Sequence, residues 1–487
     1  MHLMLHIFKK DVRRLWWGIA IALLLEIAVA YAGEGPDSLE LSVLLLVTWA
    51  CLIALAVHDD PLVGDRQFWI TRPSRWRVLL GSKLLFAVAV VHIPYFVASV
   101  AVLAARGFHP WEWLPSLLTK QILIAMALTL PMIALAAVLR NFAYLALAAI
   151  SIGGLTAFAS GFQRGLYSRW RGVDDTRWAM FFAFLAVAGA VIVVWQFARR
   201  RTWPSRLIGM AAVLAAELVL GFTSPIFIAR VRAAFYPTHT SIAFHLAPQP
   251  ALSISDRIPG YSGRTFSATD AWIAVRLPLR ISGIPDGLGS LYDLPLLEIV
   301  AGANSYQFRP EYIGPDWMIL PIRREVYESL RDVKVELKGA VPTILFRVGQ
   351  ATSMPVGTAR IVPGAGRCSS SVVDRQGSSY NGFDTGAGNG VAHRFLEVVC
   401  ESPDGFPLPA FFRLRRTSGE DAVRQFDWTS ARPRLSPIER DEDIIVLGPG
   451  EDPQASGTLG ITPAILKGWQ VVNLDFRDIR LSDYVAQ

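Results

Sequence analysis

Apolar positions follow two different rhythms along this chain. Up to about residue 222 they come in unbroken runs: 15–32, 41–57, 84–105, 122–139, 142–160, 178–198 and 207–222. Beyond Ser224 they alternate with polar residues and are interrupted by Pro and Gly. A hydrocarbon core of about 30 Å takes about 20 helical residues to cross. In lipid a segment must also pair its own backbone N–H and C=O groups. The runs are therefore expected to be helices, giving an α-helical polytopic membrane bundle of six to seven spans, with 41–57 and 207–222 the shortest. Before the first run, Leu5, Phe8, Val12 and Trp16 are interleaved with Lys9, Lys10, Arg13 and Arg14, the pattern of an amphipathic helix lying along a membrane surface. Ala30-Tyr31-Ala32 would suit a signal-peptide cleavage site, but Glu26 inside the run and the bases before it favour a retained span.

After Ser224 the period shortens to two. Ile273, Val275, Leu277, Leu279 and Ile281 alternate with Ala274, Arg276, Pro278 and Arg280, and Val333, Val335 and Leu337 alternate with Lys334, Glu336 and Lys338. Leu396, Val398 and Cys400 share a phase, as do Phe412 with Leu414 and Val472 with Leu474 and Phe476. Glycine clusters at 283–287, 364–366 and 448–450 separate these segments, and 377–390 reads as a hairpin tip. The pattern predicts an all-β region built as one or two β-sandwiches. A briefly helical REVYESLRD at 324–332 would divide it, giving domains at 1–223, 224–330 and 331–487.

Charge gives an orientation. With the N-terminus inside, inner segments carry fourteen bases: Lys9, Lys10, Arg13, Arg14, Arg66, Arg72, Arg75, Arg77, Lys83, Arg140, Arg199, Arg200, Arg201 and Arg206. Outer segments up to residue 224 carry six: Arg106, Lys120, Arg164, Arg169, Arg171 and Arg177. The positive-inside bias predicts a cytoplasmic N-terminus in a bacterial-type cytoplasmic membrane, with the β-region extracytoplasmic after seven crossings. The net charge of +7 is then mostly a topology signal, and nucleic acid is not an expected partner. Of three cysteines, Cys51 falls within a span, while Cys368 and Cys400 lie in the β-region, where they form a disulfide or remain two buried thiols.

Catalytic signatures are missing from the sequence. It contains no G-x-x-x-x-G-K-[ST], H-E-x-x-H, C-x-x-C or G-x-S-x-G, so no cofactor, metal or catalytic residue is expected. His58-Asp59-Asp60 are three adjacent residues, which rarely share one coordination geometry. Glu26, His92 and Glu217 are ionisable groups within spans, where charge costs about 2.5–3.5 kcal/mol on insertion scales. Glu26 and His92 are expected at similar depth, where they would pair or line a polar path, against the plainer reading of hydrogen-bonded structural groups. Pro94 and Pro131 are expected to kink their helices.

One segment remains to be accounted for, DDPLVGDRQFWITRPSRWRVLLGSK at 59–83, basic and aromatic between the second and third runs. Arg and Trp are enriched where partners bury against each other. A loop that only bound anionic headgroups would not need Asp59, Asp60 and Asp65. Asp65, Arg66, Trp69, Thr71, Arg72, Pro73, Arg75, Arg77 and Lys83 resemble the loop before the third span in permease subunits of type-2 ABC exporters. The resemblance covers about 1–222. It implies a coupling helix that seats in a separate cytoplasmic ATP-binding subunit, ATPase activity in that partner only, a homo- or heterodimer of permease subunits, and substrate export. A seventh span leading to a large outer region departs from the family's pattern. The alternative is a non-transporting membrane anchor, in contact with lipids, that presents a ligand- or protein-binding β-domain.

Overall fold

The computed structural model describes residues 2–32, 38–59, 76–167, 173–199, 202–238, 240–247, 271–292, 296–314, 316–363, 366–375, 393–403, 410–416, 424–425, 435–446 and 458–485. The first half is helical: α1 (His2–Arg14), α2 (Trp16–Ala32), α3 (Ser38–His58), α4 (Trp76–Ala87), α5 (Ile93–Ala105), α6 (Leu114–Ile124), α7 (Leu130–Val138), α8 (Phe142–Tyr167), α9 (Val173–Arg199), α10 (Thr202–Phe222) and α11 (Pro225–Phe235). Among the described residues six helical segments are long and apolar enough to cross a membrane, and α1 with α2, bent by 77°, adds a seventh if counted as one. Every predicted apolar run falls on these helices.

Two spans carry a π-helical turn. Val88–His92 joins α4 to α5, and Ala125–Thr129 joins α6 to α7. Each turn ends two residues before a proline, Pro94 or Pro131. Proline brings no N–H and crowds the carbonyl four residues back, and a wider turn relieves that clash. The expected kinks are thus taken up locally, and Trp76–Ala105 and Pro110–Val138 each remain one span. Gly189 of α9 lies against the second proline site: a Cβ there would come within 3.2 Å of the Leu130 carbonyl and 3.3 Å of Pro131 N.

The boundary placed at Ser224 is followed by a helix, not a strand. PIFIARVRAAF has proline in its first turn, which suits a helix start. Phe227 and Phe235 are exposed on it.

Sixteen strands follow among the described residues: β1 (Ala243–Leu246), β2 (Trp272–Ser282), β3 (Leu288–Tyr292), β4 (Leu297–Ala301), β5 (Asn304–Phe308), β6 (Tyr312–Ile313), β7 (Trp317–Arg323) and β8 (Lys334–Val348). After β8 come β9 (Thr352–Pro355), β10 (Ala359–Val362), β11 (Gly366–Arg375), β12 (His393–Pro403), β13 (Ala410–Arg416), β14 (Arg424–Gln425), β15 (Ile438–Val446) and β16 (Thr458–Arg480). A short α12 (Arg324–Leu330) stands where the sequence reads as briefly helical. All sheets are antiparallel. One has order β1-β2-β7-β6, a second β10-β11-β12-β15, and the largest β14-β13-β16-β8-β4-β5, with β3 on β8 and β9 on β16.

The predicted alternation is realised in burial. Val275, Leu277 and Leu279 of β2, Val335 and Leu337 of β8, and Val472, Leu474 and Phe476 of β16 all enter one core. Val333 is the exception, exposed in the turn before β8. That core takes residues from both the β1-β2-β7-β6 sheet and the largest sheet. A division at residue 330 therefore does not separate the sheets: β4, before it, pairs with β8, after it. Cys368 and Cys400 sit directly opposite on β11 and β12 and are disulfide-bonded. The turn at 377–390 and the glycines at 448–450 lie outside the described residues.

Candidate functional site

The candidate coupling residues Asp65, Arg66, Trp69, Arg72, Pro73 and Arg75 lie outside the described residues, and Arg77 opens α4. Arg77 is exposed and its guanidinium stands 5.4 Å from the Trp76 ring centroid. What the structure describes is how the two ends of this loop are held. Asp59, where the chain leaves α3, forms ion pairs with Lys10, at 2.9 Å, and with Arg14. Lys83, two turns into α4, bonds Asp11 at 2.7 Å, and both side chains are buried. Both holds converge on α1.

The sequence of α1 explains its position. Ile7 and Asp11, one turn apart, are its buried residues, while its bases flank them. A lone buried carboxylate would be costly, and Lys83 supplies the counter-charge with a hydrogen bond. Gly81 allows the close approach, since a Cβ there would meet Met4 Sδ at 2.9 Å. Asp11, Arg14, Leu15, Leu55, His58 and Asp59 line a cavity of about 130 Å³ beneath this helix.

The intramembrane polar residues are hydrogen-bonded, in line with the plainer of the two readings, and Glu26 and His92 do not pair. Glu26 pairs with Trp49, whose indole N–H donates to Glu26 Oε1 at 2.8 Å, and not with His92. His92 instead joins the two π turns: its Nδ1 is 2.9 Å from Gln121 Oε1 and its Nε2 3.0 Å from Thr129 Oγ1. Glu217 of α10 accepts a hydrogen bond from Thr156 of α8. Each group thus ties one span to another.

The β-region is bonded to the far end of the same span that leads from the loop. Arg106, at the end of α5, contacts both carboxylate oxygens of Glu401 on β12, at 2.8 and 2.9 Å. Tyr95 donates its hydroxyl proton to the Leu435 carbonyl, and Lys120 of α6 to the Ser436 carbonyl. Leu435 belongs to the bundle's own apolar core, beside Trp49 and Tyr95, whose rings meet edge-on at 5.5 Å. Segment 435–438 was not singled out by the sequence, and RPRLSPIER carries no signal that distinguishes it from a surface turn.

Six apolar helices of membrane length among the described residues, followed by an all-β region, make this a polytopic membrane protein with a large β-appendage. A scan against protein-family models finds none that matches, and searches of curated proteins and of solved structures find no match either.

Proposed function

We propose that the chain is the membrane-spanning subunit of an ABC-type exporter, taking mechanical work from a separate cytoplasmic ATP-binding subunit through loop 59–83. The observation that carries this reading is the double anchoring of that loop on α1, by Asp59 at its start and by Lys83 at its end. A loop that merely set topology would need no such frame. One docked on a moving partner does, because coupling between distant sites is carried by packed side chains, ion pairs and rigid elements. In this reading α1 lies on the cytoplasmic surface, the β-region stands outside as a sandwich, and permease subunits act as a pair. The test is affinity purification of the tagged chain from its native membranes, assayed for ATP hydrolysis. Wild type brings down an ATPase containing a phosphate loop, and Trp69→Ala or Arg72→Ala loses it. Wild-type preparations without ATPase would sink the proposal.

A second reading is supported by segment 435–438. Part of the β-region occupies space between α5 and α6, so the bundle would serve as a fixed mount for a ligand-binding appendage instead of a moving pathway. Transport of no substrate, with ligand binding retained in ATPase-free membranes, would favour it.

A further inference from the structure

Where α11 meets the largest sheet there is a cavity of about 300 Å³, lined by Arg230, Ala233, Pro237, Thr238, Trp469, Gln470, Val471 and Asn473. Its polar chemistry is one-sided. The Gln470 side-chain oxygen accepts from Thr238 Oγ1 at 2.7 Å and from Thr240 Oγ1 at 3.2 Å, which leaves its amide N–H groups as the free function. Trp469 is 1% exposed and its indole N–H has no hydrogen-bond partner, a costly arrangement for a buried donor. Arg230 is exposed on the rim. The Arg232 guanidinium lies 4.2 Å from the Trp469 ring centroid. Among the described residues no carboxylate lines the cavity.

Donors, a guanidinium and no acid define a site for an anion. Its place defines the source. α11 begins three residues after the end of α10, and Phe222, Phe227 and Phe235 are exposed around it, so the cavity opens beside the membrane face on the β-sheet side. Aromatic and basic residues at that level suit lipid headgroups. We propose that this cavity binds the phosphate of an anionic phospholipid from the leaflet on the β-sheet side. The guanidinium of Arg230 and the indole N–H of Trp469 hold the phosphate oxygens, and the Gln470 and Asn473 amides take the rest of the headgroup. This does not depend on transport or on an ATPase partner.

The experiment titrates the full-length protein in neutral detergent with dioctanoyl phosphatidylglycerol, and separately with inorganic phosphate, by calorimetry. Wild type is expected to bind the lipid saturably. Arg230→Gln, an exposed change that leaves the thermal midpoint in place, is expected to weaken binding about tenfold, as loss of a charge-assisted hydrogen bond does. Asn473→Asp, also exposed, should weaken it similarly by placing a carboxylate at the site. Lipid binding unchanged by both substitutions would overturn the proposal. So would tight binding of inorganic phosphate with which the lipid does not compete, since the site would then serve a soluble anion.

Discussion

The ion pair between Asp11 and Lys83 offers the sharpest test of the α1 platform. Lys83 Nζ lies 2.7 Å from Asp11 Oδ2, and the side chains are 2% and 0% exposed. Removing one partner of a buried pair strands the other charge, at a cost of about 3–5 kcal/mol. Asp11→Leu is expected near the upper end of that range. Lys83→Met is expected near the lower end, because Lys10 stands 3.7 Å from Asp11 and partly compensates it. The double substitution strands neither charge and should cost less than about 2 kcal/mol, since buried pairs replaced by matched apolar groups are often neutral or better. The cycle thus predicts a coupling energy well above the roughly 0.5 kcal/mol scatter of independent sites. Unfolding free energies measured by steric trapping in bicelles supply the four corners. Local docking is read by a Met4→Cys/Gly81→Cys crosslink in a Cys51→Ser background, those positions being in contact. Crosslink yield should fall in each single variant and recover in the double. Additive single costs, or a crosslink indifferent to both charges, would refute the idea that this pair seats α1.

Two further outcomes are expected in the β-region. The Cys368–Cys400 bond closes a separation of 32 residues, worth about 3.5–4 kcal/mol in the chain-entropy model. Cys368→Ser with Cys400→Ser should therefore lower the denaturation midpoint of the β-region as much as reductant does to wild type, and an unmoved midpoint would refute that. Arg106 and Glu401 are partly exposed, at 33% and 21%, so their pair adds only about 1 kcal/mol or less to stability. Its effect should be local: Arg106→Glu raises hydrogen exchange in 435–438, and adding Glu401→Arg restores protection. Unchanged exchange would mean the Tyr95 and Lys120 contacts hold the junction without it.

The spans were legible because lipid leaves the backbone no alternative, and that constraint acts on runs of neighbouring residues. Strand faces were legible for the same local reason, down to the inward Val335 and Leu337. What the sequence could not convey is which distant groups satisfy one another. Asp11 finds Lys83 across 72 residues and Tyr95 finds Leu435 across 340. Similar depth leaves Glu26 free to face His92 or another neighbour, because depth does not fix rotation about a helix axis, and rotation gives it Trp49. Position 330 gives a like case: α12 interrupts the strand pattern, and β8 beyond it returns to pair with β4 before it. The helix α11 was overlooked because eleven residues rich in β-branched and aromatic side chains read equally as strand.

The distribution of buried polar groups bears on how the bundle could move. Glu26, His92 and Glu217 are each committed to a second helix: Glu26 to Trp49, His92 to Gln121 and Thr129, Glu217 to Thr156. Groups used in this way fasten helices together, so a polar path through the bundle is not what they provide. The fastening is uneven along the third span. Its first turns are tied to α1 by Lys83, its π turn to the fourth span by His92, and its second half and end to the β-region by Tyr95 and Arg106. Trp76–Ala105 is 30 residues long, about 45 Å as helix, and of the spans it alone carries described bonds to both α1 and β12. A displacement delivered at loop 59–83 would therefore reach the β-region by one stiff element before it could spread through the rest of the bundle. The fourth span is tied to it by His92, but it packs chiefly against α9 and α3. If the exporter reading proposed above holds, the third span is the element expected to carry a displacement from loop 59–83 to the β-region.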